Sequence, residues 1–344
     1  MSGLATGRAR LTSTQLVSIV LLATIVVGAV LTATAGRNFF SGGNVSAILT
    51  ATSILGFVAI GQTLVVLAGS LDLSVPYVVS LSSLVGATTM AGQPGNIVPA
   101  VLLTLLVAAG IGLVNGLVVS GLKVHGFIAT LGTGLVVSGY LGSNYQGSAG
   151  SAPREFRLVG ATQVGPVPVS TLIMLAVAVL AIVLLRRTRA GHHLYAVGGN
   201  PEVARLSGVR TMPPVVVAHV LCSVMAGLAG LLLLSRLSVG SPTIGSQGGY
   251  DLMSIAAVVL GGTVLAGGRG GILGTLAGVA IFAVLDNTMG ALEVNPFLKD
   301  VVRGAVIVLA VAVYARRDVQ RRPARFERQV PTPDDSVVEP QEVR

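Results

Sequence analysis

The chain has 344 residues, of which 52% are hydrophobic and only 10% charged. Soluble domains carry about 25% charged residues, so a soluble enzyme or binding domain is excluded, and the recurring apolar runs of about 20 residues mark an all-α, polytopic membrane protein. The formal net charge of +9 does not make a nucleic-acid surface, because the basic residues lie mostly between the apolar runs and in the C-terminal tail.

Ten candidate spans follow in chain order, at 16–35, 46–68, 75–91, 98–120, 127–144, 168–185, 213–235, 251–266, 271–293 and 300–315. The first follows Arg8 and Arg10 and ends in Ala33-Thr34-Ala35, which resembles a signal-peptidase site. Its length exceeds the roughly 7–15 residues of a signal core, so it is expected to stay as the first helix. The segment 251–266 is short and is expected to be buried, tilted or broken. Two connections are rich in glycine, Gly69 to Val75 and Gly267 to Gly271, and such turns either close tight helix hairpins or break helices at depth. The loop 145–167 is the longest on the outer side. Residues 1–15 are expected to be a cytosolic N-terminal segment, 16–315 a transmembrane domain, and 316–344 a charged cytosolic tail, disordered beyond Arg328.

Orientation follows from lysine and arginine. With the N-terminus inside, the inner segments hold 16 of these residues and the outer segments 6. That bias predicts an even number of spans with both termini cytosolic.

The segment Tyr195 to Val209, YAVGGNPEVARLSGV, is polar and set between apolar spans. Asn200 suits an N-cap, Pro201 the first helical position, and Glu202 the positive end of the helix dipole. Gly208 is a natural stop. These residues predict a helix of about two turns, and Arg186, Arg187, Arg189, Arg205 and Arg210 around it place it on the inner face. It is either a docking element for a cytosolic partner or a loop helix that touches only its own chain.

No catalytic or cofactor motif emerges. A phosphate-binding loop needs Gly-Lys-Ser/Thr, and the only lysines, Lys123 and Lys299, both follow leucine. The four histidines show no metal-ligand spacing, and no serine nucleophile elbow occurs. No cofactor or metal is therefore expected. The lone Cys222 reads as a small packed hydrophobe. Asp72 and Ser74 sit at the break after the second span, where Asp72 is either part of a gate or hinge or a solvated N-cap of the third span. His219 reads as a satisfied packing residue. Asp286 and Arg303 are charges inside the ninth and tenth spans, at similar depth, and are read either as a structural pair near the outer mouth or as groups that meet solute.

Four blocks then carry a resemblance: GQTLVVLAGSLDLSV at 61–75, NGLVVSGLKVHGFIATLGT at 115–133, YAVGGNPEVARLSGV at 195–209, and GGYDLMSIAAVVLGGTVLAGGRGGILGT at 248–275. In this order they resemble the membrane permease subunit of ABC importers of the ribose/xylose/galactose type, from about residue 45 to 314. The resemblance implies a subunit that binds no ATP itself and works with a cytosolic ABC ATPase, an extracytoplasmic sugar-binding protein and a second permease copy or paralogue, in a lipid bilayer and without nucleic acid. It implies that Gly199, Asn200, Pro201, Glu202, Ala204, Arg205 and Gly208 form the element that docks on the ATPase. The chain departs from the family pattern at Ser70 and Pro76, where glycine is usual, at His125-Gly126, where a Pro-Pro pair is common, and at Asp251, where glutamate is usual. Those departures bear on the solute, which the resemblance leaves at sugar-like, more than on the fold. The reading from another class is an ion-coupled secondary carrier, which commonly places carboxylates at mid-membrane. Here only Asp286 is well embedded in a span, toward its outer end.

Overall fold

The computed structural model describes residues 13–321. The expectations for Arg8, Arg10 and the tail past Arg321 lie outside the described residues. Each of the ten apolar segments forms a helix. In chain order the helices are α1 (Ser13–Thr34), α2 (Gly42–Leu67), α3 (Val75–Met90), α4 (Ile97–Gly121), α5 (Gly126–Asn144), α6 (Arg154–Ala161), α7 (Val169–Arg187), α8 (Arg189–Gly199), α9 (Pro201–Leu206), α10 (Met212–Leu237), α11 (Ile244–Gln247), α12 (Tyr250–Leu260), α13 (Ile272–Ala291) and α14 (Pro296–Arg321). The loop after α5 adds a two-stranded antiparallel pair, β1 (Gln163–Val164) and β2 (Val167–Pro168). Among the described residues, seven helices are long and apolar enough to cross a bilayer, and α3 and α12 are shorter apolar helices. The chain is an all-α polytopic membrane protein.

Two expected spans have different limits. The segment 251–266 is helical only over Tyr250–Leu260, about 16 Å at the helical rise. It ends where Gly261, Gly262, Gly267, Gly268 and Gly270 offer no side chain to hold a helix, and four of those five have positive φ. The segment 300–315 extends to Pro296–Arg321, because lysine and arginine lower hydropathy without opposing helix formation.

Helix α2 is 89% buried over its most apolar window, against 17% for α1. Helix α2 therefore lies at the centre, and α1 lies at the edge against α13. Helix α10 packs on α2, α3 and α4. The approach of α4 to α10 depends on Gly112 and Gly116, one turn apart. A methyl group at either would collide with the backbone of His219 and Val220 or of Val216. Small residues at this spacing let membrane helices pack backbone to backbone.

The connections sort to two ends. At one end, the close of α2, the turn after α12 and the helix α8 meet. The N–H of Gly268 donates to the Leu67 carbonyl at 3.0 Å, and Gly69, Gly198 and Gly267 pack against one another. At the other end, Arg37 pairs with Glu293 at 2.6 Å, and Ala149 bridges to Gly240.

Between these ends run two stretches of irregular backbone, the first largely buried and the second, 238–249, buried only at Gly240 and Gly245. Residues 68–74 follow α2 and are buried except for exposed Gly69 and partly buried Leu71, with Asp72 and Ser74 fully so. Residues 238–249 return from the opposite end. Gly245 N–H donates to Ser80 Oγ at 2.9 Å, and its Cα lies against Pro76, so the start of α3 and the approach to α12 touch. Non-helical backbone at membrane depth needs internal partners. It finds them: Ser70 N–H bonds the Val65 carbonyl, Leu73 N–H bonds Thr130 Oγ1 at 2.9 Å, and Ser241 N–H bonds Ser83 Oγ at 3.1 Å.

Candidate functional site

The short helix expected after Asn200 is α9, and the stretch Tyr195 to Val209 joins it to the end of α8 across a sharp corner. The corner falls at Asn200, whose extended backbone breaks the helical path. Its side-chain oxygen then accepts from Glu202 N–H at 3.0 Å and Val203 N–H at 3.1 Å. These bonds satisfy amides the new helix would otherwise leave free. Pro201 opens α9, and Gly208, with φ of 81°, closes the turn beyond it. Glu202 and Arg205 stand 4.0 Å apart and are both mostly exposed, so their pairing adds little stability.

Burial divides the residues expected to dock. Gly199, Asn200, Pro201, Glu202, Arg205 and Gly208 are exposed. Ala204 is 4% exposed and belongs to the chain's own core, so it anchors α9 rather than presenting a surface. The face that points away carries Val203 and Leu206, the latter 81% exposed. Neither was expected from the capping pattern, although an apolar pair inside a polar loop was the available signal. The element is seated from behind by α8. Tyr195 Oη donates to the Gly270 carbonyl at 2.9 Å, and burial pushes its phenol above the ordinary value, with Arg186 opposing.

The second group gathers around Asp72. The residue is fully buried, so it is not a solvated cap. One carboxylate oxygen accepts from Ser74 N–H at 2.9 Å and from Ser74 Oγ at 2.5 Å. The other lies 3.2 Å from His219 Nδ1 and accepts from Asn115 Nδ2 at 3.4 Å. His219 Nε2 is 3.1 Å from Ser70 Oγ. The Gln62 amide is placed to bond both backbone groups of Asp72, each at 3.2 Å. Four elements thus meet around Asp72: the irregular segment through Ser74, α4 through Asn115 and α10 through His219 reach its carboxylate, α2 reaches its backbone through Gln62, and Ser70 supports the group from behind His219. His219 is a satisfied packing residue, and its partner is this acid. Gln62 and Asn115 were not among the expected site residues. Each stands alone in an apolar run, and only a partner from another helix makes it part of a site.

The third group is Asp286 with Arg303. Arg303 Nε donates to one carboxylate oxygen at 2.8 Å and an Nη to the other at 3.0 Å. This two-pronged geometry suits guanidinium and carboxylate. Arg303 also reaches Asp300, one turn earlier, at 3.0 Å. Asp286 and Arg303 are each 26% exposed. Among the described residues, no group of histidine, cysteine, aspartate or glutamate is placed to hold a metal ion.

Residues 44–311 match the family model described as the permease component of branched-chain amino acid transport systems. The chain belongs to this permease family. Among its relatives is the ribose import permease protein RbsC of Escherichia coli (strain K12), 39% identical over 298 residues, which are 85% of this chain and 92% of the relative. RbsC of Bacillus subtilis (strain 168) is 37% identical over 281 residues, 78% of this chain and 83% of the relative. The galactose/methyl galactoside import permease protein MglC of Haemophilus influenzae (strain ATCC 51907 / DSM 11121 / KW20 / Rd) is 32% identical over 289 residues, 78% of this chain and 85% of the relative. No solved structure matches the chain.

Within this permease, two of the departures from the expected pattern touch each other. A Cβ at Gly126 would collide with Ser70 Oγ. The hydroxyl at 70, which bonds His219, therefore needs the bare backbone at 126, where a proline of the usual pair would not fit.

Proposed function

We propose that this chain is the membrane-spanning subunit of an ATP-driven importer that receives a sugar or sugar-like solute from an extracytoplasmic binding protein. The observation that carries the reading is the 39% identity to a ribose import permease across 85% of this chain. The family description names branched-chain amino acids, whereas the relatives are named for ribose and galactose import, and this favours a sugar. The chain works as one of two permease copies, has no catalytic site of its own, and leaves ATP hydrolysis to a cytosolic partner. Both termini and the α8–α9 end are cytosolic.

In this reading α9 seats on the ATPase, offering Val203 and Leu206 as apolar contacts and Glu202 and Arg205 as a charged rim. Its movement reaches the membrane interior through the glycine junction with the end of α2, whose next residues lead to Asp72. The polar group there fixes the irregular segment to α4 and α10 in one arrangement, so Asp72 and Ser74 act as a hinge of the path. Asp286 and Arg303 clamp α13 to α14 near the outer mouth.

Reconstitution in liposomes tests the reading. Uptake of ribose or galactose should need the ATPase, the binding protein and ATP, and should survive collapse of the proton gradient. Robust uptake by the purified chain alone, driven by a pH or sodium gradient, would mark a secondary carrier instead.

A further inference from the structure

We infer that a cleft between α7, α8 and α10 is a specific site for an anionic phospholipid of the cytosolic leaflet, with an acyl chain in the cleft and the headgroup at Arg210 and His193. The cleft has a volume of about 420 Å³, within the range of roughly 300–1,000 Å³ of ligand pockets. Its walls are Leu184 of α7, Leu194 of α8, and Val217 and Leu221 of α10, with Leu64 of α2 at the back. These side chains offer a bound molecule no hydrogen bond, so water is a poor occupant and a hydrocarbon chain a good one.

The mouth has the opposite character. Arg210 and His193 line it and are both exposed. Arg186, Arg187 and Arg189 follow at the junction of α7 and α8. No aspartate or glutamate lines the cleft, and among the described residues neither Arg210 nor His193 has an ion-pair partner. An apolar cleft under an unpaired basic rim at the inner end of a bundle complements an anionic lipid. One wall is α8, which holds α9, so an occupied cleft braces the element assigned to docking. Only the placement of this end in the cytosolic leaflet rests on the transport reading.

The test uses the full chain in nanodiscs containing a trace of phosphatidylglycerol or phosphatidylcholine with a photoreactive acyl chain, followed by mapping of the labelled peptides. Labelling near Leu106, 70% exposed on α4, serves as the reference for ordinary boundary lipid. Relative to that reference, phosphatidylglycerol should label the α7 and α10 walls about fivefold more than phosphatidylcholine, the ratio that about 1 kcal/mol per basic side chain provides. Arg210→Gln should remove most of that preference. Val217→Trp, which fills the cleft, should abolish wall labelling and leave the reference unchanged. Equal ratios for the two lipids would reduce the cleft to ordinary boundary, and absence of wall labelling with a normal reference would show it closed by protein. Either result overturns the inference. The readout needs no transport, so failure of the importer reading leaves it standing, and its own failure leaves uptake untouched.

Discussion

The carboxylate of Asp72 lies 3.2 Å from Nδ1 of His219, two fully buried residues 147 positions apart in the chain. It holds the irregular backbone after α2 against α10, and the same carboxylate also serves Ser74 and Asn115. Asp72→Ala should lower the melting temperature of the purified chain and abolish uptake, because each buried group left without a partner costs about 1–3 kcal/mol. Asp72→Asn, which keeps the shape but loses the charge, should melt closer to the parent. A parental melting curve for Asp72→Ala would remove the group from any structural role.

Asp286 and Arg303 should behave as a unit. A lone charge at the bilayer centre costs about 2.5–3.5 kcal/mol on insertion scales, and less here, where each side chain is 26% exposed. Asp286→Asn and Arg303→Gln should each reduce the yield of folded protein, and the double variant should recover much of it. A double variant no better than the singles, measured by size-exclusion recovery, would show that the fork is not what holds α13 to α14.

Leu206 is 81% exposed, so Leu206→Asp should leave the melting temperature near the parent's while weakening ATPase binding and uncoupling hydrolysis from uptake. Arg205→Glu should uncouple in the same way. Ala204→Leu should do the reverse, destabilising the chain because it overfills a buried position. Normal coupling in the first two variants would take the docking role away from α9.

Gly126→Ala should destabilise the chain by about 1–3 kcal/mol, the usual cost of forcing atoms into a filled site. Ser70→Gly should relieve most of that loss, since the collision is with Ser70 Oγ. The pair is measured by a double-mutant cycle of thermal stability. Additive effects would show that the two positions do not share one space.

Orientation is checked by reporter fusions. A fusion at Glu155 should report the outer side and one at Ala190 the cytosol, as the bias of 16 inner to 6 outer basic residues requires. A cytosolic signal at Glu155 would invert the topology.

The positions of the ten apolar helices, their membrane class and the cap at Asn200 were legible in the sequence, whereas the short helices α6, α8 and α11 were not. Each rests on local physics: an apolar run long enough to span, or a side chain that reaches amides two or three residues on. The four blocks that carry the family resemblance are likewise linear. What the linear order could not contain was partnership. Asp72 read equally well as an exposed cap or as a gate residue, because exposure is set by α4, α5 and α10 closing over it. Gln62 and Asn115 were lone amides in apolar runs until the fold placed them at one aspartate, Gln62 at the backbone of Asp72 and Asn115 at its carboxylate. Ala204 and Leu206 stand two apart in a six-residue helix, and only packing against α8 and the core decided which is buried. Asp286 and Arg303 were foreseeable as a pair because a short loop makes their helices neighbours at matching depth. Sequence thus determined which segments form apolar helices, and the tertiary structure decided which polar groups among them face one another, because burial and pairing are properties of neighbours rather than of order along the chain.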